Sequence, residues 1–274
     1  MDALKLIFFS LFTHFAVGAL VPMLFISVKE MGTMFFRLIS MLSIILLACA
    51  FWAKPFANLA LATPFAAASP VAGQIATLLL LSAVFLLLTV FLLNRGGKIF
   101  ATLALVGGLA ATAKLPFTFP SVSTVPAWML AGSFISSALM LGSVLGTMIT
   151  GHWYLVNHKL TLRPLQITTW VFIGLTILRT MMVFATVFVL SASLDTTLAA
   201  TAKSLLDFSA SGILFWARVG FGLAAPLLFG WMIWSSVKVR NTQSATGILY
   251  ATIVLVLVGE AFAKYLYLFT GIPV

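Results

Sequence analysis

Glu260 and Lys264 stand four residues apart inside a stretch, 246–270, that is otherwise soluble in lipid. An ionisable group at bilayer depth is costly unless paired, so it marks a function more often than a fold. At this spacing a carboxylate and an ammonium share one helix face and can neutralise each other. The carboxylate can also take up and return a proton. His14, Arg179 and Arg218 are the other polar groups that fall within apolar runs. Counted from the outer membrane face as oriented below, His14, Arg179, Arg218, Glu260 and Lys264 lie roughly 12, 17, 11, 15 and 9 Å deep at about 1.5 Å per residue. Four helices thus contribute to one broad layer in the outer half of the membrane, with Arg179 near the midplane. Three cations meet one carboxylate there, and neither arginine has an obvious acidic partner of its own. The surplus charge calls for carbonyls, water, an anionic ligand, a lipid headgroup or a neighbouring subunit.

The elements that must position these groups follow from composition. Apolar residues make up 62% of the 274-residue chain and charged residues 7%, too few to cover the surface of a water-soluble domain. The reading is an all-α, polytopic integral membrane protein forming one transmembrane helical bundle over 1–274. Crossing a bilayer takes roughly 20 apolar residues, and windows of about that length occur at 6–28, 34–53, 71–93, 99–113, 127–156, 167–190, 211–237 and 246–270. Eight spans are expected, the fourth being the weakest because it is short and runs into Lys114-Leu115-Pro116. The first run is too long for a typical signal core and no A-x-A pattern closes it, so it is expected to be retained as a span.

The formal charge of +10 does not point to nucleic acid, because the basic residues are scattered between apolar runs and form no stripe or binding motif. They report topology instead. Lys29, Arg37, Arg95, Lys98, Lys159, Arg163, Lys238 and Arg240 fall on one side, and Lys5, Lys54, Lys114 and Lys203 on the other. By the positive-inside rule the first set is cytoplasmic and both termini lie outside, in what reads as a prokaryotic cytoplasmic membrane. The outer connections are the longer ones: a Pro/Ala-rich stretch at 54–70, a Pro-bearing one at 114–126 and a third at 191–209. In the third, Leu194, Leu198 and Leu205 recur at helical spacing, as in an amphipathic helix lying on the membrane surface. On the fifth span Gly142-x-x-x-Gly146, with Ser133, Ser136, Ser137 and Gly151, offers a face of small residues that another helix can approach closely.

Cys49 is the lone cysteine, so neither a disulfide framework nor a Cys-ligated iron-sulfur cluster can be assembled from this chain alone. A bis-histidine haem needs two imidazoles at similar depth. His14 lies in the outer layer, His152 ends the fifth span on the inner side and His158 follows in the loop. No self-contained haem site is expected, which leaves open one shared with a partner chain. The segment around Trp153 and Tyr154 reads as an interfacial aromatic anchor. Nucleotide, serine-hydrolase and metalloprotease motifs are absent, and no metal site is expected.

The last span, with Gly259-Glu260 followed by Lys264-Tyr265-Leu266-Tyr267, resembles the G-E…R-x-L-F/Y ending of the eight-span membrane anchors of dimethyl-sulfoxide-reductase-like and polysulfide-reductase-like enzymes. The match covers one helix, and Lys264 stands where the family has arginine. The resemblance implies an anchor that exchanges electrons between quinone and an iron-sulfur partner, often without haem of its own; it can be carried to Glu260 and Lys264. On this reading the chain is a quinone-interacting subunit of a respiratory oxidoreductase, set among lipid and joined to iron-sulfur or cytochrome subunits. Glu260 or His14 would accept the quinol proton, while Arg179, Arg218, Lys264 or Tyr267 would hold a quinone oxygen. Two other readings stand beside it: a transporter of an anion or small solute that uses the cationic surplus, and a non-catalytic structural subunit whose buried charges answer a neighbour.

Overall fold

With no water in the bilayer core, every backbone N–H and C=O of a spanning segment must bond within the segment, and helices achieve this. The computed structural model describes residues 2–53, 70–93, 97–119, 125–157 and 160–274. Among these the regular structure is helical: α1 (Asp2–Gly18), α2 (Val21–Phe25), α3 (Val28–Met31), α4 (Thr33–Ala53), α5 (Pro70–Leu92), α6 (Gly97–Lys114), α7 (Ala127–Val156), α8 (Arg163–Ser191), α9 (Thr196–Ser204), α10 (Ala210–Val219), α11 (Ala225–Lys238) and α12 (Thr242–Thr270). Eight segments are long and apolar enough to span: Leu4–Phe25, Thr33–Ala53, Pro70–Leu92, Gly97–Thr118, Ala127–Val156, Arg163–Ser191, Ala210–Lys238 and Thr242–Thr270. The chain is an all-α polytopic membrane protein, as its composition requires. Residues 54–69, Arg95, Pro120, His158 and Lys159, used above to read loops and topology, lie outside the described residues.

Two spans form the centre. The first and fifth are 89% and 78% enclosed by protein, against 44% or less for every other. Their contact depends on glycine, because lipid-embedded helices associate through close packing and hydrogen bonds, with no hydrophobic drive between them. A Cβ on Gly142 of α7 would fall 2.0 Å from the carbonyl carbon of Gly18, and one on Gly146 would meet Pro22 at 2.6 Å. The small-residue face of the fifth span thus receives the first. A second glycine contact was not anticipated. Gly222 and Gly259 touch backbone to backbone, a Cβ on Gly259 falling 2.1 Å from Gly222 Cα. Gly222 lies in a π-helical turn, Gly220–Ala224, that joins α10 to α11 within one span.

Polar residues of α8 and α12 lie on their buried faces. On α8 the buried series Phe172, Thr176, Arg179, Val183 and Thr186 steps at three and four residues. On α12 the buried residues Leu249, Thr252, Val256, Gly259, Glu260, Ala263, Lys264 and Tyr267 form one such face. Phe91, Phe188 and Trp231 lie on the outer surface. The weak fourth span is completed by a 3-10 turn, Leu115–Thr118, that buries Leu115 and Pro116. In the 191–209 connection only Thr196–Ser204 is α-helical, capped by Asp195 bonding to Thr197 N and Leu198 N. Leu198 and Leu205 are buried against protein, and Leu194 precedes the helix and is fully exposed, because the Asp195 cap starts the helix after it.

Of the basic residues assigned to one face, three make contacts between segments. Lys98 donates to the Ile26 carbonyl, Arg37 Nε donates to the Val90 carbonyl at 3.1 Å, and Arg163 sits 3.7 Å from Glu30.

Candidate functional site: a single carboxylate among three cations

Glu260 is fully buried at the meeting point of α1, α7, α8, α10 and α12, and each of these helices presents a polar side chain to it or to its partner Ser137. Oε1 accepts from Arg179 Nε at 3.1 Å and from Arg218 Nη2 at 3.0 Å. Oε2 accepts the Ser137 hydroxyl hydrogen and lies 3.6 Å from Lys264 Nζ. One carboxylate has about four lone-pair directions, and here all four face donors. The expectation that the two arginines lack an acidic partner is therefore corrected: both share Glu260.

The three cations are satisfied very unequally. Each nitrogen of Arg179 is hydrogen-bonded. Besides Glu260, its Nη1 donates to the Ser133 carbonyl at 3.1 Å and the Ser133 hydroxyl at 2.8 Å, and its Nη2 to the Val274 carbonyl at 2.9 Å. That last acceptor is in place because the chain turns at Gly271, in the left-handed region with φ of 70°, and tucks Gly271–Val274 into the bundle. Pro273 likewise accepts from the Ser133 hydroxyl at 2.9 Å. Lys264 donates to Ser137 Oγ at 3.0 Å and sits 4.1 Å from the centre of the Phe134 ring, whose face attracts cations. Among the described residues Arg218 bonds only to Glu260. Its Nε and Nη1 are buried without a hydrogen-bond partner among the described residues.

Ser137 is the hub that sequence reasoning missed; it was read only as one of the small packing residues of α7. Its hydroxyl has one hydrogen, which goes to Glu260, and it accepts from Lys264. His14 Nδ1 lies 2.9 Å from the same oxygen. With the hydroxyl hydrogen already given away, Nδ1 must be the donor in this contact. That tautomer leaves His14 Nε2 as a bare acceptor, and it is buried without a partner among the described residues. A continuous hydrogen-bonded chain therefore runs from His14 through Ser137 to Glu260. The only advance signal for Ser137 was its polarity on an inward stripe of α7, a property shared by Ser133, Ser136, Ser143, Thr147 and Thr150.

Tyr267, the remaining candidate, is buried beside the cluster in an aromatic group with Phe119 and Phe134, and its hydroxyl donates to the Pro116 carbonyl at 3.1 Å. His152, by contrast, is exposed and pairs with Tyr250 at 3.0 Å, apart from the cluster. Among the described residues no group of three or more His, Cys, Asp or Glu side chains is placed to hold a metal ion. No protein-family model matches this chain, and no curated protein matches it at a significant level.

Proposed function

We propose that this chain is the membrane-embedded, quinone-interacting subunit of a respiratory or electron-transfer complex. The observation that carries the reading is the His14–Ser137–Glu260 chain, which begins in an unpartnered imidazole acceptor and ends in a carboxylate. Oxidising a quinol releases two protons and two electrons, so the site needs a base within hydrogen-bond reach of the hydroxyl. His14 Nε2 takes a quinol proton, Nδ1 passes its own to Ser137, and Ser137 passes its hydrogen to Glu260 Oε2. One proton thereby moves from the quinol oxygen to the carboxylate, and the second follows by the same relay once Glu260 has released the first to the outer side. The electrons leave to an iron-sulfur or cytochrome centre on a partner subunit, consistent with the lone cysteine of this chain. On the positive-inside rule the cluster lies in the outer half of a prokaryotic cytoplasmic membrane, with both termini outside.

The test cuts the relay without touching the carboxylate or its arginines. The complex is purified in mild detergent with its partner subunits, and quinol-linked turnover is compared for the parent, Ser137→Ala and His14→Gln. Turnover should fall by about 100-fold or more, the usual contribution of a positioned acid or base, with the amount of assembled complex unchanged. Parental turnover in both variants, or purification of the chain as an active monomer with no other subunit, refutes the assignment.

A further inference from the structure

Three cationic side chains surround one carboxylate, and Arg218 is the one with nitrogens left unpartnered among the described residues. Each nitrogen of Arg179 is hydrogen-bonded, to Glu260, two backbone carbonyls and the Ser133 hydroxyl. Lys264 is held by Glu260, Ser137 and the Phe134 ring. Arg218, with no exposed surface, makes a single contact with Glu260 Oε1 and leaves Nε and Nη1 unpartnered among the described residues. Buried donors are nearly always paired, and a buried guanidinium with two idle nitrogens is a site still lacking its acceptor.

Lipid tails cannot supply that acceptor. A neutral one would satisfy the nitrogens and leave the excess charge, whereas an anion answers both. We infer that Arg218 binds a small monovalent anion of the halide class through Nε and Nη1. Glu260 screens the guanidinium from one side, which limits the site to a single negative charge. Gly222 and Gly259 touch backbone to backbone beside the guanidinium, a Cβ at Gly222 falling 3.6 Å from Arg218 Nη1. This inference is independent of the redox reading, because it is measured as binding, without turnover.

The experiment is thermal unfolding of the full chain in lipid nanodiscs, with sodium bromide exchanged for sodium gluconate at constant ionic strength. The expected result is a saturable rise in melting temperature with bromide, weakened by about tenfold or more in apparent affinity in Arg218→Gln, the factor set by loss of one charge-assisted hydrogen bond. Arg163→Gln, at the surface pair with Glu30, should keep the parental response. Should Arg218→Gln fail to fold, anomalous scattering from bromide bound to the parent protein decides the matter. A peak within hydrogen-bonding reach of Arg218 Nε or Nη1 supports the inference. A melting temperature indifferent to bromide, an equal response in Arg218→Gln, or bromide located only elsewhere overturns it.

Discussion

Replacing Glu260 by Gln keeps the shape of the side chain and removes the one negative charge that α8, α10 and α12 share. The amide oxygen can keep its place before Arg179 and Arg218, at the 3.1 and 3.0 Å of the native contacts. The amide nitrogen then takes the position of Oε2, where it faces the Lys264 ammonium across the 3.6 Å once occupied by an ion pair. Ser137 must turn its hydrogen elsewhere. Breaking a buried pair from one side costs about 3–5 kcal/mol, since the partner charge stays buried. At about 2–4 °C per kcal/mol for a domain of this order of size, the melting temperature should drop by roughly 6–20 °C. Lys264→Met should act differently. It removes a cation from a cluster rich in them, leaves Glu260 with both arginines and Ser137, and sets a thioether against Phe134, so the change should be about 1 kcal/mol or less. In the double variant Glu260→Gln/Lys264→Met, the amide no longer meets an ammonium, and the loss should be smaller than the sum of the single losses by about 1–3 kcal/mol. Thermal unfolding of the four proteins in nanodiscs measures this cycle. A Glu260→Gln protein as stable as the parent, or strictly additive losses, would refute the view that Glu260 holds the bundle's charges together.

Two other outcomes are expected. Gly142→Val and Gly259→Ala each drive a side chain into a backbone 2.0 and 2.1 Å away; both should lose at least about 1–3 kcal/mol by overpacking, measured as detergent-resistant folded protein, whereas Gly174→Ala, which meets nothing within 4 Å, should fold normally. Single cysteines placed at Arg163 and Lys238 in a Cys49→Ser background should react with a membrane-impermeant thiol reagent only from the cytoplasmic side, and one at Lys203 only from outside; labelling in the opposite sense reverses the proposed topology.

What the sequence determined by itself was the solvent and the cast of residues. Low charge and runs of about 20 apolar residues specify eight lipid-crossing helices, because a backbone in hydrocarbon has no other way to satisfy its hydrogen bonds. The pairing of Glu260 with Lys264 was legible too, since residues four apart on a helix must be neighbours. The face of α7 that meets α1 could be read from Gly142 and Gly146 because small side chains are what permit close approach. Only the tertiary structure decided which residues face one another across helices. Hydropathy sets where a helix crosses but says little about its rotation, and rotation is what brings Arg179 and Arg218 onto the same oxygen of Glu260. The Gly222–Gly259 contact fixes part of that rotation, and its two glycines are 37 positions apart on helices that carry no shared motif. Ser137 became the link between His14 and Glu260 for the same reason: a hydroxyl on an inward face acquires its role from the atoms that packing places within 3 Å of it.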